Sequence, residues 1–316
     1  NAGRLWVGSY DGVGQFKDGK YSVDKMLPRV NVYVIHEDQA GYFWFGTDKG
    51  LFKCKDASCT VYDANNGLPG PDVKTIYEDR RGDLWIGTYD GIARLSNGKF
   101  TYYTQRDGLA GNRVRYIYED AEGTFWIGTY DSGLSRFKNG RFTNYNVSNG
   151  LYNEGVFQIL EDRHGYFWIS CNKGIYRVSR RELNEVAEGR LSRISSVAFG
   201  KNDGMLNTEC NGGRQPAGLI ADDGKLWFPT MGGIAVVDPE AAQVNPLPPP
   251  VTIEAVRLER GLANFSHEVT VAPGQREIEI AYTGLSFLNP EQVKFRYKLE
   301  GLDTDWVDVG TRRVAY

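Results

Sequence analysis

Apolar and polar positions alternate along most of this chain in short runs, each bounded by Gly, Asn or Asp. Residues 114–119, 124–129, 133–138 and 141–146 show the pattern, with breaks at Ala121-Glu122-Gly123 and Asn139-Gly140. Runs of this kind, rich in Val, Ile, Tyr, Phe and Trp, predict antiparallel strands, and Asn-Gly is the strongest short hairpin signal. No helical period of useful length fits between them.

The pattern recurs. "GTFWIGTYDSGLSRFKNGRFTNY" at residues 123–145 nearly repeats "GDLWIGTYDGIARLSNGKFTYY", which begins 41 residues earlier. Trp6, Trp44, Trp85, Trp126, Trp168 and Trp227 stand 38, 41, 41, 42 and 59 residues apart, a repeat with one insertion. Glu37-Asp38, Glu78-Asp79, Glu119-Asp120 and Glu161-Asp162 precede four of these tryptophans at a fixed offset. A four-stranded sheet at this period predicts an all-β protein, a β-propeller with one blade per unit. Six blades are legible, the first without its innermost strand. A lone sheet cannot bury both faces, so the Trp, Ile and Gly columns are read as packing, with each indole filling the gap between neighbouring blades. The surplus segment "SRRELNEVAEGRLSRISS" sets Ser179 and Glu182 at capping-box spacing and reaches Gly189, which predicts a short helix between the third and fourth strands of its blade.

After residue 244 the style changes. "NPLPPP", residues 245–250, reads as a stiff linker, and residues 251–316 alternate like an Ig-like β-sandwich with too few strands to be complete.

Composition narrows the function classes. The 316 residues are 41% hydrophobic and 24% charged, a globular composition. A net charge of −3 offers no basic excess for nucleic acid, and no apolar run approaches a membrane span. Residue 1 opens inside a motif rather than a leader, so any signal peptide or anchor is expected outside this sequence. The cysteines, Cys54, Cys59, Cys171 and Cys210, lack C-x-x-C spacing and lie far in sequence from His36, His164 and His267, which argues against a zinc site. Cys54 and Cys59 flank a turn and either close a hairpin in an oxidising compartment or remain thiols. No cofactor or catalytic set is expected.

The unit V-x-x-I-x-E-D-x-x-G-x-L-W-I-G-T-x-x-G-L-x-R resembles the two-component regulator propeller repeat. The segment "FRYKLEGLDTDWVDVG" with "RVAY" is similar to the three-tyrosine (Y_Y_Y) domain that follows such propellers. The resemblance implies the periplasmic sensor region of a hybrid two-component, histidine kinase or diguanylate cyclase receptor. It further implies rings of seven blades, a small polar or oligosaccharide ligand, a homodimer, and membrane contact only through segments elsewhere.

In a blade, the turn between the second and third strands lies on the same face as the crossover into the next blade. This places Tyr10, Asp11, Tyr89, Asp90, Tyr130 and Asp131 from the turns beside Asn112, Arg113 and Asn153 from the crossovers. Arg115 shares a column of the innermost strand with Lys74, pointing to the channel. Together these form the candidate ligand site, since Tyr, Asp, Asn and Arg at a concave mouth hydrogen-bond and stack on polar molecules. The Glu-Asp column falls on the opposite face and reads as turn chemistry rather than a calcium ring. A secreted propeller lyase or glycosidase, or a protein-interaction scaffold, are the alternative functions; the first needs acid and base groups converging in one pocket.

Overall fold

A computed structural model describes residues 5–56, 58–242, 249–259, 261–263, 268–271, 277–286 and 293–316. The chain divides into two compact units, Asn1–Pro239 and Glu240–Tyr316. Most of the predicted linker and His267 lie outside the described residues.

The first unit is a propeller of six consecutive antiparallel sheets. Blades 2 to 5 have four strands each, and their innermost strands are Val32–Glu37, Val73–Glu78, Val114–Glu119 and Gln158–Glu161. Among the described residues blade 1 runs Leu5–Ser9, Gly12–Lys17, Lys20–Asp24. Of blade 6 the described residues hold Leu219–Ile220, Leu226–Thr230 and Gly233–Val237, and most of the stretch where a fourth strand is expected lies outside them.

The hairpins follow local chemistry. Asn139 and Gly140 take φ of 52° and 76°, the left-handed pair that a tight two-residue turn requires. Asn97-Gly98 repeats it at 49° and 74°. The inserted helix, Arg180–Ala187, starts where Ser179 Oγ accepts from the Glu182 amide at 3.4 Å. The reciprocal half of the capping box is absent, since the Glu182 carboxylate accepts instead from the Ser195 amide at 2.7 Å. Cys54 and Cys59, paired across the outer hairpin of blade 2, form a disulfide. Cys171 and Cys210 are buried thiols, pushed up to about 11 and about 12 by burial.

The core lies between blades rather than within them. Trp44 and Leu51 of blade 2 pack with Val73, Ile76 and Leu84 of blade 3, and the set repeats at the next two seams. Trp44, Trp85, Trp126 and Trp168 are 0–2% exposed. Their indoles are held as well as packed: Asp38, Asp79, Asp120 and Asp162 accept from the indole Nε1 at 2.7–2.9 Å. The other oxygen of each Asp accepts two backbone amides of its own turn, as with Glu122 and Thr124 on Asp120. The neighbouring Glu serves the preceding blade, so that Glu78, Glu119 and Glu161 meet His36, Tyr77 and Tyr118 at 3.1, 3.4 and 2.6 Å. The Glu-Asp column is thus spent on turns and on stitches between blades.

The glycine after Trp85-Ile86 and after Trp126-Ile127 is set by space. A Cβ on Gly128 would stand 2.5 Å from Val156 Cγ1 and 2.6 Å from its carbonyl oxygen, just before the innermost strand of the next blade. Because the backbone cannot yield there, Gly128→Ala is expected to cost about 1–3 kcal/mol, read as a lowered urea midpoint. Gly213→Ala serves as a control for space, since its Cβ would meet nothing within 4 Å and its backbone is not left-handed.

In the second unit, Val251–Leu258, Gly261–Leu262, Ile278–Gly284 and Val314–Ala315 form one sheet, and Phe295–Tyr297 with Val307–Gly310 another. Tyr282 and Phe295, both buried, join the two sheets with ring centroids 5.0 Å apart.

Candidate functional site

Three β-bulges build the mouth of the channel. In blades 2, 3 and 4 the pairing of the innermost strand skips one residue, from Val32 to Val34, Val73 to Thr75 and Val114 to Tyr116. The skipped residues are Tyr33, Lys74 and Arg115, each 11 positions before its blade's tryptophan, and Phe157 holds that offset in blade 5. A bulge re-aims its side chain and frees its carbonyl from the ladder.

The carbonyls of Tyr33 and Arg115 are taken up by a strap from blade 6. Residues 211–217 lead into that blade's innermost strand, Leu219–Ile220, and among them Gln215 binds three other blades. Its amide donates to Tyr33 O at 2.8 Å, and its Nε2 donates to Arg115 O and Phe157 O at 3.0 Å each. Arg214 donates to Val32 O and, at 2.9 Å, to Asn31 Oδ1. Ala217 N donates to Gln158 Oε1 at 3.0 Å. One short segment thus satisfies the carbonyls of two bulged residues, Tyr33 and Arg115, and that of Phe157 at the same offset.

Cations and rings alternate around this mouth. Arg214 lies 4.4 Å from the Tyr10 ring and 5.9 Å from Tyr33. Lys74 Nζ is 3.2 Å from the Tyr33 centroid and 4.5 Å from Tyr89. Arg113 and Arg115 each lie 5.1 Å from Tyr89 and 4.7 Å from Tyr130, and Tyr130 stacks on Phe157 at 5.9 Å. Such contacts contribute about 0.5–2 kcal/mol each, more where water is excluded.

The charges differ in their partners. Lys74 is buried and pairs with Asp72 at 3.2 Å; burial pulls its pKa down while Asp72 opposes the shift. Arg113 pairs with Asp131 at 3.0 Å, half exposed. Arg115 is 8% exposed and has no carboxylate in ion-pair reach among the described residues. Its Nη1 donates to Gly212 O at 3.1 Å and its Nε is buried with no acceptor. Burial lowers its pKa from the ordinary guanidinium value, and burial raises those of Tyr33 and Tyr89.

Of the residues selected from the sequence, Tyr10, Tyr89, Arg113, Arg115, Tyr130 and Asp131 meet in this cluster. Asp11 pairs with the exposed Arg29 at 3.0 Å, and Asp90 is exposed, its amide held by Thr88. Asn112 and Asn153 turn their side-chain oxygens on the Gln105 and Gly155 amides, shaping their own loops. Tyr33, Phe157, Arg214 and Gln215 were not selected. The first two share the column of Lys74 and Arg115, a signal open to sequence reading, whereas the strap departs from the repeat and its sequence does not show its distant partners.

A second cleft, of 570 Å³, lies beside the helix and is lined by Glu122, His164, Arg180 and Glu185. Arg180 already pairs with Asp120, Glu122 and Glu161 there, at 3.5, 3.0 and 2.7 Å, and Arg181 with Glu185 at 2.9 Å. Its charges are satisfied internally, unlike that of Arg115.

The class is therefore a β-propeller with a cationic, aromatic mouth on one face. Its repeats are identifiable: residues 26–49, 67–90 and 108–131 match the two component regulator propeller family, each running from a crossover to the turn beyond the Trp strand. Among solved structures it is similar to the extracellular domain of a hybrid two component system from B. thetaiotaomicron, with TM-score 0.72, 21% identity, and coverage of 99% of this chain and 44% of that one. A second extracellular domain, of a one component system from the same organism, gives TM-score 0.52 and 18% identity over 98% of this chain and 56% of that one. A virginiamycin B lyase from Staphylococcus aureus gives 0.56 and 17% over 76% and 79%. This chain spans less than half of the first structure and little over half of the second. No curated protein sequence matches it. Among the described residues no helix is long and apolar enough to cross a membrane.

Proposed function

We propose that this chain is a ligand-sensing region on the outer side of a membrane, part of a signal-transduction receptor and free of chemistry of its own. The single observation that carries the reading is the mouth itself, where bulged residues of three adjacent blades, held by a strap from a fourth, converge on one face. Such an arrangement presents rings and donors to a polar guest, an oligosaccharide or a small polar molecule. The two component regulator propeller repeats and the likeness to extracellular sensor domains support the same role. The second unit, read as a Y_Y_Y domain, would pass occupancy or a homodimeric state toward the membrane. The Cys54–Cys59 disulfide agrees with a periplasmic setting.

The lyase reading has its support in the shared propeller fold, and fold alone does not assign chemistry. Its weakness is local: His36 is bound to Glu78 and His164 lines the helix cleft, so neither stands among the cations and rings of the mouth.

A thermal-shift screen against oligosaccharides and polar small molecules tests the proposal. Binders are expected to raise the melting temperature of the protein, and Tyr89→Ala and Tyr130→Ala are expected to abolish that rise. A rise that survives both substitutions would reject this face, and turnover of a binder would favour the enzyme reading.

A further inference from the structure

The cations of the mouth are unequally balanced. Lys74 and Arg113 have carboxylate partners at 3.2 and 3.0 Å. Arg214 bonds a carbonyl and an amide oxygen. Arg115, more than nine-tenths buried, has a single carbonyl acceptor, tyrosine rings on either side of it, and an orphaned Nε. A buried cation without a counter-charge is destabilising, and folded proteins ordinarily supply a carboxylate to offset it. The nearby carboxylates are spent elsewhere: Asp72 on Lys74, Asp131 on Arg113, and Asp48 on the Asn31 amide at 2.9 Å.

Resting on the ligand-site reading above, we propose that the guest carries an oxyanion, a carboxylate or sulfate on a saccharide, and that Arg115 is its principal partner. The planar guanidinium suits bidentate recognition of such a group, and the tyrosines beside it suit a sugar ring. The strap gives the site a second part. Gly212 O, which holds Arg115 Nη1, belongs to the same segment as Arg214 and Gln215, so the strap fixes one edge of the guanidinium and leaves Nε without an acceptor.

Calorimetry with the whole chain tests this against matched panels: uronate oligosaccharides, sulfated oligosaccharides and neutral oligosaccharides of the same length. A member of the acidic panels is expected to bind at least tenfold more tightly than its neutral counterpart, with affinity falling as salt rises. The two acidic panels separate carboxylate from sulfate. Arg115→Gln is expected to weaken that ligand about 100-fold, and Arg115→Lys about tenfold, because a point charge replaces the fork. If Arg115→Gln does not fold, Arg115→Lys and the salt series on the unaltered protein still decide. Equal binding of neutral and acidic members, or acidic binding untouched by Arg115→Lys and by salt, overturns the anion assignment and leaves the saccharide reading standing. Binding by no member of any panel overturns both.

Discussion

Trp126→Ala is expected to lower the stability of the propeller by about 4 kcal/mol, within the range for emptying a large aromatic site. The indole is 0% exposed and lies at the centre of the seam between blades 4 and 5. Its centroid is 5.0 Å from Phe167 of the next blade in an edge-on arrangement and 6.2 Å from Tyr145 of its own. Neither ring can follow into the gap. Phe167 is fixed by its own strand pairing, and the Tyr145 hydroxyl donates to Leu183 O at 2.6 Å. For a unit of this size the loss corresponds to roughly 8–16 °C in melting temperature. Trp126→Phe is expected to lose about half as much. Scanning calorimetry or urea unfolding reads both. A loss below about 1 kcal/mol for the alanine variant would mean that the seam collapses freely and that the indole columns do not hold the ring together.

Trp227 offers a natural comparison within the same chain. It stands in the same column but is 39% exposed, and the position six residues before it is Ala221 rather than Asp. Among the described residues no following blade covers it, so Trp227→Ala is expected to cost far less than its counterpart in blade 4.

Much of this was legible from the residues alone, because a repeat forces local and tertiary information to coincide. A residue that faces a seam in one blade faces one in every blade, so the spacing of Trp44, Trp85 and Trp126 announces both the strand and its partner. Asn139-Gly140 fixed its hairpin through backbone sterics, and Ser179 its helix through a cap, both within a few residues. Two features escaped for the opposite reason. The bulges at Tyr33, Lys74 and Arg115 arise where successive blades pack, and periodicity in a single strand does not reveal a skipped pairing. The strap departs from the repeat altogether, and its partners lie far away: Gln215 meets Arg115 across 100 residues and Arg214 meets Asn31 across 183. The mouth was thus half visible. Its turn and crossover residues follow the repeat, while the segment that completes it does not.

Asp120→Ala is expected to cost about 3 kcal/mol although it removes no apolar surface. The side chain is fully buried and accepts three hydrogen bonds, from the Glu122 amide at 2.9 Å, the Thr124 amide at 3.0 Å and the Trp126 indole at 2.9 Å. Removing it leaves those three donors without a partner and takes a carboxylate from Arg180, 3.5 Å away. Asp120→Asn separates the contributions, since an amide oxygen still accepts from the turn while the amide nitrogen cannot accept from the indole. A double-mutant cycle pairing Asp120→Asn with Trp126→Phe is expected to give a coupling of about 1–2 kcal/mol, because phenylalanine has no donor to lose. The sign follows from the geometry: with the indole gone, the asparagine variant should cost less than it does beside tryptophan. Additive losses, within about 0.5 kcal/mol, would show that the aspartate serves the turn alone and that the indole bond is incidental to the blade.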